Sequence, residues 1–178
     1  MKTIKIILTT LVTVLISLTG YSQKPNDIIT QENYSDEFFK QLFVESLIQE
    51  SSKYGITLIY NDDCDSAAKV VVNKSLSLGM VPIENPEILL ITVEYVANKQ
   101  GSVVGAGSSN TSGTILTNNM ITFNDLVEAR VNSYMTTIKE YSLNGDTILF
   151  GFNSHSFKTD SVISLEEFDY LVFITARD

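Results

Sequence analysis

Residues 43–76, FVESLIQESSKYGITLIYNDDCDSAAKVVVNKSL, change their hydrophobic period twice, and this stretch decides the fold class. Its first part continues an amphipathic helix that Ser35 can cap and that Gly55 ends. Residues 56–60 then have the length and β-propensity of a buried strand. A second helix follows, with Asn61 as the first of several oxygen-bearing residues at its N-terminus. The order helix, strand, helix is therefore predicted from this stretch alone.

The single cysteine of the chain lies in the second predicted helix. Cys64 falls on one helical stripe with Ala68, Val71, Ser75 and Leu78, which predicts a buried thiol. The acidic residues beside it lack the spacing, the glycine and the closing glutamate of a calcium loop, so they are interpreted as helix-capping residues. A lone cysteine forms no internal disulfide.

The second half of the chain contains three further regular segments. Residues 88–97 are rich in β-branched and aromatic residues and predict a strand, in which Ile91, Val93 and Tyr95 alternate with two polar residues. Thr122, followed three residues later by Asp125, predicts a capping box and a third helix. Alternating aromatic and branched side chains in residues 148–152 and 168–174 predict a C-terminal hairpin.

Residues 98–119 differ in composition from the segments around them. They are rich in Gly, Ser, Thr and Asn, and Lys99 is their sole charge. No Gly-Lys-Ser/Thr follows the glycines, so a phosphate-binding loop is not indicated. We expect a long flexible connection, with a ligand cradle as the less favoured interpretation.

Together these elements predict an α+β fold, an αβα three-layer sandwich with a small, mostly antiparallel sheet that ends in a C-terminal hairpin. Residues 35–178 are expected to form one domain. Residues 23–34 are polar, lack periodicity and are expected to form a loosely attached N-terminal arm.

Residues 1–22 have the pattern of a removable export signal. Lys2 and Lys5 precede residues 6–18, thirteen residues that are apolar apart from Thr and one Ser, and Gly20 and Ser22 are small residues before the expected cleavage site. Thirteen residues are too few to cross a bilayer, so a membrane anchor is disfavoured. We expect an exported protein, periplasmic or secreted, without membrane insertion after the signal is removed.

Charge excludes two classes of partner. The chain carries 12 basic and 21 acidic residues, a net charge of −9, and loss of the two signal lysines makes it −11. Nucleic acid and anionic membrane surfaces both require clustered Lys and Arg, so neither is an expected partner.

Two parts of the sequence resemble the CAP superfamily, the cysteine-rich secretory, antigen 5 and pathogenesis-related 1 proteins. The stretch quoted above resembles the opening helix, strand and second helix of that family. VNSYMTTIKEYSLNGDTILFGFNSHSF at residues 131–157, followed by FDYLVFITARD at 168–178, resembles its late helix and closing strands, with a family glycine at Gly151. The resemblance covers most of residues 36–177.

That resemblance implies a cavity with two His and two acidic residues, which bind a divalent metal in some members. This chain has one His, and Met135-Thr136-Thr137 stand where a His usually follows the late helix. Glu94 is the single position carried over, with an ordinary solvent-facing strand Glu as the favoured alternative. No metal and no cofactor are therefore expected, and the member would be a degenerate one.

His155 is the remaining candidate for chemistry. A hydrolase site would need a nucleophile and an orienting acid near it, for which Ser154, Asp160 and Glu166 are the candidates, yet no Gly-x-Ser-x-Gly elbow is present. A hydrogen-bonded or exposed strand His is favoured. The acidic residues Glu166, Glu167 and Asp169 could pair as acid and base, but are interpreted as solvated residues at a hairpin edge.

Three functional hypotheses remain open. The first is an exported, non-catalytic binding or interaction domain, with Glu94 and His155 as candidate binding residues and a small molecule, lipid, glycan or protein as ligand. The second is a cell-envelope hydrolase with a non-standard site around His155. The third is a structural domain that self-associates. The first is preferred, because the export signal is combined with a missing His tetrad.

Overall fold

The computed structural model describes residues 23–78, 106–116, 120–158 and 164–175. Its helices and strands follow in the order α1 (Asp36–Ser52), β1 (Thr57–Tyr60), α2 (Asp62–Ser77), β2 (Ala106–Leu116), α3 (Phe123–Tyr141), β3 (Thr147–Lys158) and β4 (Ser164–Thr175). The predicted strand at 88–97 lies outside the described residues.

Each helix begins at a side chain that accepts a backbone hydrogen bond. Ser35 Oγ accepts from Phe38 N at 3.3 Å, and Asn61 Oδ1 accepts from Cys64 N at 3.0 Å. Thr122 and Asp125 form the predicted capping box at the start of α3. All three predicted caps are confirmed, because capping is a local interaction within four residues of sequence.

The four strands form one sheet in the order β1-β3-β4-β2. β1 pairs with β3 in parallel, whereas β4 pairs antiparallel with both β3 and β2. The sheet is therefore mostly antiparallel and contains the C-terminal hairpin β3–β4, as predicted.

Helices cover both faces of this sheet. α1 and α3 pack on one face, where Phe43 and Phe152 approach to 4.1 Å between ring centroids. α2 packs on the other face, where its small residues meet Tyr170 and Val172. This is the predicted αβα sandwich. Residues 168–174 of β4 lie inside it and are buried on both sides, which explains why all but Asp169 are apolar or aromatic.

Gly151 sets how closely α2 lies on the sheet. A methyl group at this position would overlap the backbone of Cys64 and Asp65 in the first turn of α2. Only a residue without Cβ lets the helix N-terminus lie directly on β3. The glycine thereby fixes the distance between that N-terminus and the edge of β3.

The expectation of a flexible loop throughout residues 98–119 is wrong for residues 106–116, which form β2. Ala106 pairs with Ile174 and Leu116 with Ser164, so the whole segment is in register with β4. Residues rich in Gly, Ser and Asn have low β-propensity by themselves. The strand forms because it pairs with β4, a tertiary interaction that compensates for the low β-propensity of the local sequence.

The N-terminal arm is packed rather than loosely attached. Ile29 is buried against Phe123, and Ile29 N donates to Ile121 O at 2.8 Å. Leu78, the last position of the predicted stripe of Cys64, is exposed because it lies just beyond the end of α2.

Candidate functional site

A cleft of about 450 Å³ opens where β1 ends and β3 continues. β1 pairs only with residues 147–150 of β3, so the following residues of β3 have no strand partner on this side among the residues that the structure describes. The N-terminal turns of α1 and α2 border the same end. We call this the edge cleft; it is lined by Ser35, Asp36, Glu37, Lys40, Asp65, Lys69, Asn153 and Ser154.

Backbone groups of β3 face the edge cleft. Phe150 O accepts from Asn61 N at 2.8 Å, and Ser156 N donates to Asp36 Oδ2 at 3.3 Å. Alternate residues of a strand direct their backbone groups to the same side. The N–H and C=O of Ser154, which lies between these two residues, therefore also point to the side where β1 has ended.

Two buried side-chain oxygens of the edge cleft have no hydrogen-bond partner among the described residues: Ser154 Oγ and Asp36 Oδ1. Ser154 is only 8% exposed. Ser35, and not Asp36, caps α1, so the helix amides do not use Asp36 Oδ1. Buried polar atoms in proteins nearly always have a partner, so these two oxygens need an explanation.

In a second part of the edge cleft, charged side chains pair with each other. Lys40 Nζ lies 2.6 Å from Asp65 Oδ1 and 5.8 Å from the centroid of the Tyr60 ring. Burial raises the pKa of Tyr60 well above its usual value, and the hydrogen bond to Asp65 together with the charges of Asp65 and Asp62 raises it further. Tyr60 is therefore a neutral donor to Asp65. Lys69, on the next turn of α2, is exposed.

The structure separates His155 from Ser154. The two are consecutive in β3, so their side chains lie on opposite faces of the sheet. His155 is about half exposed, and its Nδ1 lies 3.9 Å from Asp36 Oδ2. A nucleophile and its base must lie within about 3 Å, so the hypothesis that Ser154 and His155 form a catalytic pair is wrong.

Among the described residues, the other predicted site residues do not line the edge cleft. Glu94 and Asp160 lie outside the described residues. Glu166 pairs with Phe157 in the β3–β4 ladder. The residues that do form the cleft, among them Asp36 and Asp65, were assigned only to helix N-termini by sequence, since their convergence depends on the sheet order.

Sequence reasoning also missed a buried polar cluster formed by Arg130, Tyr134 and Asp169, which we call the buried triad. Asp169 is 0% exposed, so its interpretation as a solvated hairpin residue is wrong. Arg130 Nε lies 3.0 Å from Asp169 Oδ2 as an ion pair, and the Tyr134 hydroxyl donates to Asp169 Oδ1. Arg130 and Tyr134 are one helical turn apart, which is the one sequence signal that pointed to a shared partner.

The edge cleft and the buried triad adjoin each other. Ser154 is directly opposite Asp169 in the β3–β4 ladder, on the same face of the sheet. The pair lies between hydrogen-bonded positions, where opposite side chains are closest. Ser154 thus stands between the buried triad and the open cleft.

Cys64 is not available for chemistry. It is fully buried in α2, as predicted. Burial, with the charges of Asp63 and Asp65, raises the pKa of the thiol to about 12. The reactive thiolate is therefore scarce at neutral pH.

Within the described part of the chain, no group of three or more His, Cys, Asp or Glu side chains is arranged to hold a metal ion. The same residues include no helix long and apolar enough to cross a membrane.

Comparison with known proteins gives a likeness of fold. No family model matches this chain, and neither does any curated protein sequence. Among solved structures, the chain is similar to an outer surface protein from Borrelia burgdorferi, with a TM-score of 0.50 and 15% sequence identity. The similarity covers 82% of this chain and 97% of that chain. At this identity the two chains share a fold.

Proposed function

We propose that this protein is an exported, non-catalytic binding domain, a degenerate relative of the CAP superfamily, and that its ligand occupies the edge cleft. The family part of the proposal is supported by the sequence resemblance in residues 43–76 and 131–157, and the non-catalytic part by the single His, since the family's site needs two. The site part is supported by the geometry of the cleft.

One observation carries the binding hypothesis: Ser154 Oγ and Asp36 Oδ1 are buried at the edge cleft without a partner among the described residues. Leaving a polar group buried and unpaired costs about 1–3 kcal/mol. A domain that served only as a scaffold would gain stability by satisfying these atoms or replacing them. A ligand that hydrogen-bonds to them would offset the penalty on binding.

The lining of the edge cleft favours a hydrophilic ligand. All eight lining residues are polar or charged. An acyl chain would find no apolar side chain among them, so of the ligand classes open from the sequence, a lipid tail is the least favoured. A small polar molecule, a glycan or a polar segment of a protein fits the lining.

Export to the periplasm or cell exterior rests on residues 1–22 and is consistent with the surface location named for the structural neighbour. The test is to express the full chain and determine the N-terminus of the exported product by mass spectrometry. A product that begins at Gln23 supports the proposal. A protein that stays inside the cell with residues 1–22 still attached would contradict it.

Binding is tested by NMR on the protein purified from the exported fraction. Four probes are added separately: N-acetylglucosamine, n-butylammonium, acetate and dihexanoylphosphatidylcholine micelles. We expect a hydrophilic probe to shift the amide signals of residues 35–40 and 153–156, and the micelles to leave them unchanged. The proposal fails if none of the three hydrophilic probes shifts these signals.

The hydrolase alternative is tested in parallel with p-nitrophenyl acetate. We expect the parent protein and His155→Ala to show the same rate as buffer. If the parent protein hydrolysed the ester faster than buffer and His155→Ala did not, an enzymatic hypothesis would replace the binding hypothesis.

A further inference from the structure

We propose that the edge cleft binds a primary ammonium group, held by the carboxylate of Asp36 and the hydroxyl of Ser154. The inference rests on the proposed function and specifies its ligand class. It follows from which atoms in the cleft lack partners and which chemical group would satisfy all of them.

Both unsatisfied atoms of the edge cleft can accept a hydrogen bond, and the Ser154 hydroxyl can donate one as well. Asp36 Oδ1 accepts only, because an ionised carboxylate has no proton to donate. Ser154 Oγ can accept, and the Ser154 carbonyl points to the same side of β3. A ligand group with several donors and no acceptor matches this set. An ammonium group has three donors and no acceptor.

Two basic side chains near the cleft face other atoms, whereas Lys69 is an exposed residue of the lining. Lys40 is held by Asp65 at 2.6 Å. His155 approaches Asp36 through Oδ2 at 3.9 Å, from the opposite face of the sheet to Ser154. The oxygen that lacks a donor is Oδ1, so neither side chain supplies what the cleft lacks.

The charge balance of the lining points the same way. Three carboxylates (Asp36, Glu37 and Asp65) and two ammonium groups (Lys40 and Lys69) line the cleft, which leaves one negative charge in excess. A monocation neutralises it. An anion would instead be placed beside the unpaired Asp36 oxygen, where like charges repel.

The test compares n-butylammonium with tetramethylammonium, which carries the same charge without N–H donors, and follows amide shifts of residues 35–40 and 153–156 by NMR. We expect n-butylammonium to bind at these residues and tetramethylammonium to bind about tenfold more weakly or not at all. Equal binding of the two cations would overturn the proposal, because it would show attraction by charge alone.

Variants assign the binding to the two named side chains. Asp36→Asn should weaken n-butylammonium binding by about tenfold or more, and Ser154→Ala by about threefold. Asp62→Asn is the matched control, since Asp62 is an exposed acid in the first turn of α2 that does not line the cleft, and its affinity should stay within about twofold. If Asp36→Asn fails to fold, the affinity of Ser154→Ala for n-butylammonium decides whether the proposed geometry is correct. Equal affinity of Ser154→Ala and the parent would reject the proposed geometry.

The outcomes separate this inference from the proposed function. If N-acetylglucosamine or acetate binds at these residues and n-butylammonium does not, the cleft remains a binding site but the ammonium proposal is rejected. Failure of all these probes would reject both.

Discussion

The edge cleft and the buried triad adjoin at Ser154 and Asp169, which are opposite each other on one face of the sheet, yet they differ in how their polar atoms are paired. In the buried triad, a fully buried Asp169 is paired with Arg130 and Tyr134. In the edge cleft, Asp36 Oδ1 and Ser154 Oγ are buried without a partner among the described residues. We expect the first arrangement to stabilise the fold, and we propose that the second leaves two oxygens for a ligand to bind. The predictions below test this difference.

The largest effect is expected from breaking the buried triad. Asp169→Ala leaves the Arg130 guanidinium mostly buried without its carboxylate, which should lower the free energy of unfolding by about 3–5 kcal/mol. Urea unfolding followed by circular dichroism measures the change. Glu128→Ala, at an exposed position of the same helix α3, is the control and should stay within about 0.5 kcal/mol. A loss below about 1 kcal/mol for Asp169→Ala would mean that the triad does not hold β4 to α3.

The buried triad also shows what the sequence could not predict. The alternation in β4 indicated a strand correctly, but alternation alone does not distinguish a strand with one buried face from one with two. Asp169 was therefore assigned to solvent. Helix caps, by contrast, were predicted correctly at Ser35, Asn61 and Thr122 because each depends on a few neighbouring residues.

The edge cleft was unpredictable for a different reason. Its members lie in three separate elements, and they meet only because β1 is four residues long while β3 continues beyond it. The sequence located the two helix N-termini, but not that both border the part of β3 that continues beyond β1. β2 was missed because its composition resembles that of a linker, and its pairing with β4 depends on the whole sheet.

The next largest effect is expected at Gly151, where the cleft depends on close packing of α2. Gly151→Ala inserts a methyl group into the backbone of Cys64 and Asp65, and should destabilise the protein by about 1–3 kcal/mol through overpacking. Asn153→Ala, two residues along the same strand face, adds no volume and is the control. The displaced helix should also expose Cys64, so we expect faster reaction with a thiol reagent in Gly151→Ala than in Asn153→Ala. Equal rates and equal stabilities would show that α2 does not rest on this glycine.

A smaller effect is expected from the half-buried Tyr60, and it depends on pH. The folded state holds the pKa of Tyr60 above the unfolded value of about 10. Its contribution to stability is therefore fully present below about pH 10 and is lost as the pH rises above that value, since the unfolded state releases the proton first. Urea unfolding at about pH 8.5 and about pH 11 should show a larger loss for the parent than for Tyr60→Phe. Equal losses would contradict the raised pKa.

The smallest effect, and the sharpest contrast, is expected from removing one hydroxyl in each region. Tyr134→Phe deletes a donor to buried Asp169 and should cost about 1–2 kcal/mol, because a hydrogen bond to a buried carboxylate is lost. Ser154→Ala deletes a hydroxyl that makes no hydrogen bond among the described residues, so no bond is lost and a desolvated polar atom is removed. The free energy of unfolding should change by less than about 0.5 kcal/mol or increase. If Ser154→Ala lowered the free energy of unfolding as much as Tyr134→Phe, the Ser154 hydroxyl would have a hydrogen-bond partner inside the protein. The main observation in favour of a ligand in the edge cleft would then be removed.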